Sequence, residues 1–171
     1  MEPTRIYGYL MTTRERVLDG VRPLTPQQYQ REFPFGLKTI ASTLAHLMIS
    51  EWYYIERLEG RTVPPYDQWP INYENPPAFD VIERTWRQQA AEIRATIAAV
   101  RDWTRPVRWL SFPDDAGRRF HIGATAGDLF TQRALHVMHH RAQLMVMLRE
   151  LGTPLADLDY NALMFERREA T

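Results

Sequence analysis

The stretch "RALHVMHHRAQLMVML", residues 133–148, combines the apolar pattern of a buried helix with three of the protein's five histidines. Successive helical residues turn by about 100°, so His136 and His140 lie about 40° apart on one helix face. Their Cβ atoms are then roughly 6 Å apart, which lets two imidazoles reach one ion. His139 lies about 60° to the other side of His136. The pair His136 and His139 stays open on geometry, but at most two of these histidines are expected to bind.

A third ligand is needed, because a catalytic metal site commonly has three protein ligands and one open position. His46, in the stretch "STLAHLMISEWYY" (42–54), is the natural candidate. Leu44 and Leu47 indicate that this part of the chain is buried, and a buried imidazole needs a hydrogen-bond partner or a metal. The alternative is a hydrogen-bonded core histidine without metal, which is the commoner state of a single buried histidine.

Composition excludes several classes of protein. The chain has no cysteine, so it has no disulfide, no thiolate zinc site and no thiol nucleophile of its own. Lys plus Arg and Asp plus Glu both total 21, which gives no broad positive field and predicts no nucleic-acid partner. The N-terminus lacks a signal-peptide pattern, and no stretch approaches the roughly 20 apolar residues of a membrane span. We therefore expect a cytoplasmic protein with no membrane partner.

Four stretches have helical spacing of apolar residues, and most prolines lie between them. Thr39 is a predicted N-cap, Thr125 and Asp128 have capping-box spacing, and Gly20 is expected to end the first helix. The predicted helices cover about 4–19, 39–60, 80–103 and 125–151.

Two irregular segments interrupt this pattern. Residues 61–79 form a long proline-rich loop with many aromatic side chains, and loops of this length are often functional. Residues 107–122 contain two short β-prone runs, which predict a small hairpin or an extended excursion. No repeat or composition shift marks a second domain. Residues 1–171 are thus predicted to be a single all-α domain, a four-helix bundle.

Two of these segments resemble the DinB-like (DinB/YfiT) superfamily of metal-dependent proteins. "KTIASTLAHLMISEWYYIERLEG" (38–60) is similar to the family's second helix with its internal histidine, and "ALHVMHHRAQLMVMLRELGTP" (134–154) is similar to its closing helix with an H-x-x-x-H-R pattern. The resemblance implies a four-helix bundle holding one divalent ion. The ligands that it implies are His46, His136 and His140, with His139 as a neighbour that does not bind. Arg141 matches the family's arginine after the last ligand; a structural ion pair and a substrate contact are both open for it.

The resemblance also implies a chemistry. Characterised members of the DinB-like superfamily include thiol-dependent transferases that use bacillithiol or mycothiol, and a thiol-dependent maleylpyruvate isomerase. The family name records induction by DNA damage, not DNA binding. We therefore expect an S-transferase or isomerase that activates a low-molecular-weight thiol. An imidazole triad accepts zinc or nickel, which we expect first, and also iron, manganese or copper.

Two other functions stay open. A metal-dependent hydrolase would activate water at the same site. That reading needs a general base, and Glu51 points about 140° away from His46 on a straight helix. Val137 replaces the glutamate of the H-E-x-x-H signature, which disfavours a zinc protease. The last alternative is a non-catalytic metal-binding stress-response module.

The surroundings of the site are predicted from aromatic residues. An aromatic-lined cavity is expected beside the ion, and Tyr53, about 20° from His46 on the same face, is placed nearest to it. His121 in the predicted hairpin is expected to be exposed, and the alternative is that it reaches the cavity as an acid or a base. No pattern assigns a catalytic residue. The other cavity candidates are Trp52, Tyr54, Tyr66, Trp69 and Tyr73, and an apolar stripe that would support a homodimer consists of Leu144, Met145, Met147 and Leu148.

Overall fold

The computed structural model describes residues 2–169 and confirms an all-α fold. Its four long helices pack as a bundle, in which α3 and α5 share an extensive contact and α1 and α4 complete the core. A two-stranded sheet and two short helices lie around the bundle. The elements are α1 (Pro3–Val21), α2 (Pro26–Tyr29), α3 (Ile40–Leu58), α4 (Phe79–Ala99), β1 (Pro106–Leu110), β2 (His121–Thr125), α5 (Ala126–Glu150) and α6 (Tyr160–Met164).

The predicted helix starts are confirmed by their hydrogen bonds. The Thr39 hydroxyl accepts a bond of 2.9 Å from the backbone N–H of Ser42 at the start of α3. At the start of α5 the backbone N–H of Asp128 donates to the Thr125 hydroxyl at 3.0 Å, and the Asp128 carboxylate accepts from the backbone of Thr125 at 2.8 Å. This reciprocal pair satisfies two amides that a helix start leaves free.

The predicted hairpin is confirmed and determines where α5 begins. Strands β1 and β2 pair antiparallel, with Pro106 opposite Thr125 and Leu110 opposite His121. Because α5 starts directly after Thr125, the sheet anchors the N-terminal end of the helix that carries His136 and His140.

Two predicted helix ends were wrong. Helix α1 continues through Gly20 to Val21, and a Cβ at Gly20 would lie 2.5 Å from Leu155 Cδ2. The glycine therefore allows the C-terminal segment to approach closely rather than ending the helix. Helix α4 ends at Ala99, because Val100 is extended and Trp103 turns to pack on Phe130, with ring centroids 5.5 Å apart.

The core explains the apolar stripe of α5. Leu144, Met147 and Leu148 are fully buried inside the bundle, against residues such as Leu44 and Met48 of α3. The stripe consequently packs within the chain and does not support a dimer; the homodimer itself stays a prediction. No helix within residues 2–169 is both long enough and apolar enough to cross a bilayer.

Candidate metal centre

Three histidines converge where α3 faces α5. One ring nitrogen from each of His46, His136 and His140 lies within 4.8 Å of the other two. The ring centroids of His136 and His140 are 4.6 Å apart. The ring centroid of His46 lies 4.9 Å from that of His136 and 4.8 Å from that of His140. His139 is exposed and lies outside this group, and its ring contacts only His140, at 4.9 Å, among the three. The structure thus brings together the three residues that the resemblance implied.

A glutamine orients one of these rings. The Nδ1 atom of His140 lies 2.9 Å from Oε1 of Gln143, and since an amide oxygen only accepts, this contact is a hydrogen bond in the tautomer that carries the proton on Nδ1. The lone pair of Nε2 is then free for a ligand bond, the usual role of such an outer hydrogen bond. Gly36 permits this arrangement, because a Cβ there would lie 2.6 Å from the same Gln143 oxygen. Sequence reasoning missed Gln143.

The other two histidines have buried nitrogen atoms without partners. Nδ1 of His46 and Nε2 of His136 are buried and make no hydrogen bond. A buried polar atom without a partner costs free energy unless something bonds to it. Three imidazoles with free nitrogens, close enough for one ion, fit the donor set of a borderline divalent metal.

The electrostatics favour neutral imidazoles. Burial, together with the neighbouring His136 and His140, lowers the pKa of His46 to about 4. Burial and the neighbouring His140 and His139 lower the pKa of His136 to about 4 as well. Burial also lowers the pKa of His140, although its bond to Gln143 opposes the shift. Near neutral pH all three rings are therefore in the unprotonated form that binds metals.

An aromatic cavity of about 290 Å³ opens beside the histidines, with His46 and His136 in its wall. Tyr73 contacts His46 at 5.0 Å between ring centroids, whereas Tyr53 contacts Trp69 at 5.6 Å. The prediction that Tyr53 lies nearest was therefore wrong. The aromatic residues that line the cavity are Tyr53, Tyr54, Tyr66, Trp69, Tyr73 and Phe112.

Two other expectations about the surroundings of the site have clear outcomes, and one lining residue was missed. Trp52 does not line it and packs against Trp69, at 5.7 Å. His121 is exposed at the start of β2, as expected. Phe112 was missed, because it follows β1 in an irregular segment that has no periodic pattern.

The structural ion pair expected for Arg141 is not found among residues 2–169, whereas its contact with a substrate stays a prediction, and Glu51 does not line the aromatic cavity. Arg141 is buried with its guanidinium 5.2 Å from the ring centre of Tyr9, and it has no ion pair within residues 2–169. Glu51 is buried in ion pairs with Arg14 and Arg133, away from the aromatic cavity.

Comparison with known proteins identifies the family. A sequence profile of the DinB family matches residues 1–169, nearly the whole chain. The chain belongs to the DinB family. No curated protein matches the sequence. Membership of the DinB family and the cluster of His46, His136 and His140 together fit a metal-binding protein.

The contact between Gln143 and His140 gives a first testable prediction. Gln143→Leu removes the acceptor that holds His140, so metal affinity is expected to fall about 10- to 100-fold. Competition against a chelating dye measures this change. Gln88→Leu, on the exposed face of α4, makes the same chemical replacement and is expected to leave affinity unchanged. Equal affinities in the two variants would contradict an orienting role for Gln143.

Proposed function

We propose that the protein is a metal-dependent enzyme that uses a low-molecular-weight thiol, as an S-transferase or isomerase. The observation that carries the proposal is the convergence of His46, His136 and His140 beside an aromatic cavity, whose wall includes His46 and His136. These three residues would hold one divalent ion, with zinc or nickel expected first. A thiol must come from a second molecule, because the chain contains no cysteine.

When bound, the ion would supply a positive charge that lowers the pKa of a thiol or water molecule beside it. The protein's own residues do the rest. Gln143 holds the proton on Nδ1 of His140, and the neutral rings leave the net charge of the ion undiminished. The aromatic rings of the cavity wall favour an electrophile with an apolar part, which they can contact over a large area.

Hydrolysis is the weaker alternative. It requires a base near the water, and no carboxylate lines the aromatic cavity within the described chain. Tyr66 is protonated near neutral pH and cannot accept a proton from water, because burial and the neighbouring Tyr73 and Glu74 raise its pKa to about 12. A non-catalytic metal-binding module needs no such group, and activity measurements separate it from both enzymes.

The test is a thiol panel. Metal-loaded protein is incubated with monochlorobimane and each thiol, and fluorescence reports formation of the sulfur–carbon bond as chloride leaves and the thiol proton passes to solvent. We expect at least one thiol to react faster than without protein, and metal-free protein to lose the acceleration. Ester or amide cleavage without thiol would instead support the hydrolase, and no acceleration with any substrate would support the binding module.

A further inference from the structure

A second cavity, of about 310 Å³, adjoins the aromatic one and is strongly basic. Four arginines line it and, within the described residues, no aspartate or glutamate does. Its arginines come from the end of α3, the following turn, β1 and the segment before β2. We call it the arginine cavity and define it by Arg57, Arg61, Arg108 and Arg119.

Among the described residues, only one of these arginines has acidic partners. Arg61 pairs with Glu56 at 2.6 Å, with Glu92 at 3.1 Å and with Glu59. Between residues 2 and 169, no carboxylate lies within ion-pair distance of the other three arginines. Three uncompensated positive charges therefore face one concave surface, which focuses their field on an anion.

Arg57 distinguishes this cavity from an ordinary solvated surface. Its side chain is only 8% exposed, and its buried Nε atom has no hydrogen-bond partner. The guanidinium lies 5.1 Å from the ring centre of Tyr53 and 5.6 Å from that of Trp109. The two rings fix its position and stabilise its charge in part. A buried guanidinium without a counterion remains costly, and its planar donors match an oxyanion.

The arginine cavity is connected to the histidines along α3. His46, Ser50, Tyr53 and Arg57 follow one another at helical spacing and lie within about 60° on one face. The first three line the aromatic cavity and Arg57 lines the arginine cavity. Phe112 lines both. Along the helix axis His46 and Arg57 are about 16 Å apart, a distance that one extended small molecule can span.

We propose that the arginine cavity binds an oxyanion group, a carboxylate or a phosphate, of the cosubstrate whose other end reaches His46, His136 and His140. Arg57 holds the oxyanion at the buried side of the cavity, and Arg108 and Arg119 add charge at its exposed rim. The proposal of an oxyanion site depends only on the arginines and not on the proposed function. Only the assignment of its occupant as the cosubstrate thiol rests on the proposed function.

Titration of metal-free protein tests the site itself. Inorganic phosphate and malonate, a dicarboxylate, are each titrated into the protein at low ionic strength by calorimetry. The anion that binds with the higher affinity shows whether the site prefers a phosphate or a carboxylate. We expect one saturable site. Arg57→Gln is expected to weaken binding about tenfold, because charge-assisted hydrogen bonds to a charged donor are lost. Arg119→Gln is expected to weaken it less.

The control is Arg118→Gln. Arg118 neighbours Arg119, pairs with Asp114 at 2.9 Å and does not line the cavity, so its loss is expected to leave binding unchanged. Circular dichroism checks that each variant folds. If Arg57→Gln does not fold, the anion affinity of Arg119→Gln is compared with that of Arg118→Gln instead. The absence of saturable binding of either anion, or an equal loss with Arg118→Gln, would overturn the site.

Kinetics test the occupant. Coenzyme A and glutathione are anionic thiols and dithiothreitol is a neutral one; each is assayed with metal-loaded protein and monochlorobimane. Arg57→Gln is expected to raise KM about tenfold for the anionic thiols with little change in kcat, and to leave KM for dithiothreitol unchanged. An equal rise for dithiothreitol would overturn the assignment. If no thiol reacts, the proposed function and this assignment both fail, while the phosphate and malonate titrations still decide the site.

Discussion

His140→Ala is expected to lose the bound divalent metal, whereas His139→Ala keeps it. The two histidines are adjacent in sequence, on the same helix, but only His140 belongs to the group whose ring nitrogens lie within 4.8 Å of one another. The binding free energy of a four-ligand zinc site is about 10–16 kcal/mol. The loss of one ligand therefore weakens binding by about 3 kcal/mol, or roughly 100-fold in affinity. Elemental analysis of the purified, metal-loaded variants measures this difference.

Thermal unfolding gives a second readout that does not depend on activity. Zinc at about 100 times its Kd stabilises the folded state by about 2.7 kcal/mol. For a chain of this length the shift in Tm is about 5–10 °C. We expect His139→Ala to show this rise and His140→Ala or His46→Ala to show almost none. Equal metal content and equal Tm shifts in His139→Ala and His140→Ala would contradict the ligand assignment.

The register of the histidines was predictable because it depends on one helix at a time. The angle between His136 and His140 follows from helix geometry alone, and the structure confirms the shared face. The cap at Thr39 and the capping box of Thr125 are equally local. Features that join distant segments were not predictable in this way. Phe112 enters the aromatic cavity from an irregular segment, and Gly20 reflects a contact with Leu155 that no local pattern records.

The buried cluster around Glu51 shows the same limit. The sequence places Glu51 on the opposite side of α3 from His46 and predicts nothing about its partner. The structure pairs it with Arg133, 82 residues away, three residues before His136. This ion pair joins α3 and α5 close to the histidines. Only the packing of the two helices brings these charges together, so neither helix alone predicts the contact.

Glu51→Leu is expected to lower the free energy of unfolding by about 3–5 kcal/mol, because it leaves buried guanidinium groups without their counterion. Glu51 is 1% exposed, and it accepts from Arg14 at 3.2 Å, from Gln89 at 3.3 Å, and from Trp86 and Arg133. Burial already lowers the pKa of Arg133 to about 9, which shows how poorly its charge is solvated. Thermal unfolding should show a decrease in Tm of roughly 6–20 °C.

The comparison with a surface carboxylate isolates the cost of burial. Glu92 pairs with Arg61 at 3.1 Å, but its side chain is 60% exposed, so Glu92→Leu removes an ion pair that water replaces. Its loss is expected to cost roughly 0–1 kcal/mol. The double variant Glu51→Leu with Arg133→Met removes both charges and is expected to recover part of the stability lost in Glu51→Leu, since the remaining Arg14 is then the only charge left without its carboxylate. If the double variant is less stable than Glu51→Leu, the loss arises from packing rather than from the unpaired charge of Arg133, because removing that charge then brings no relief.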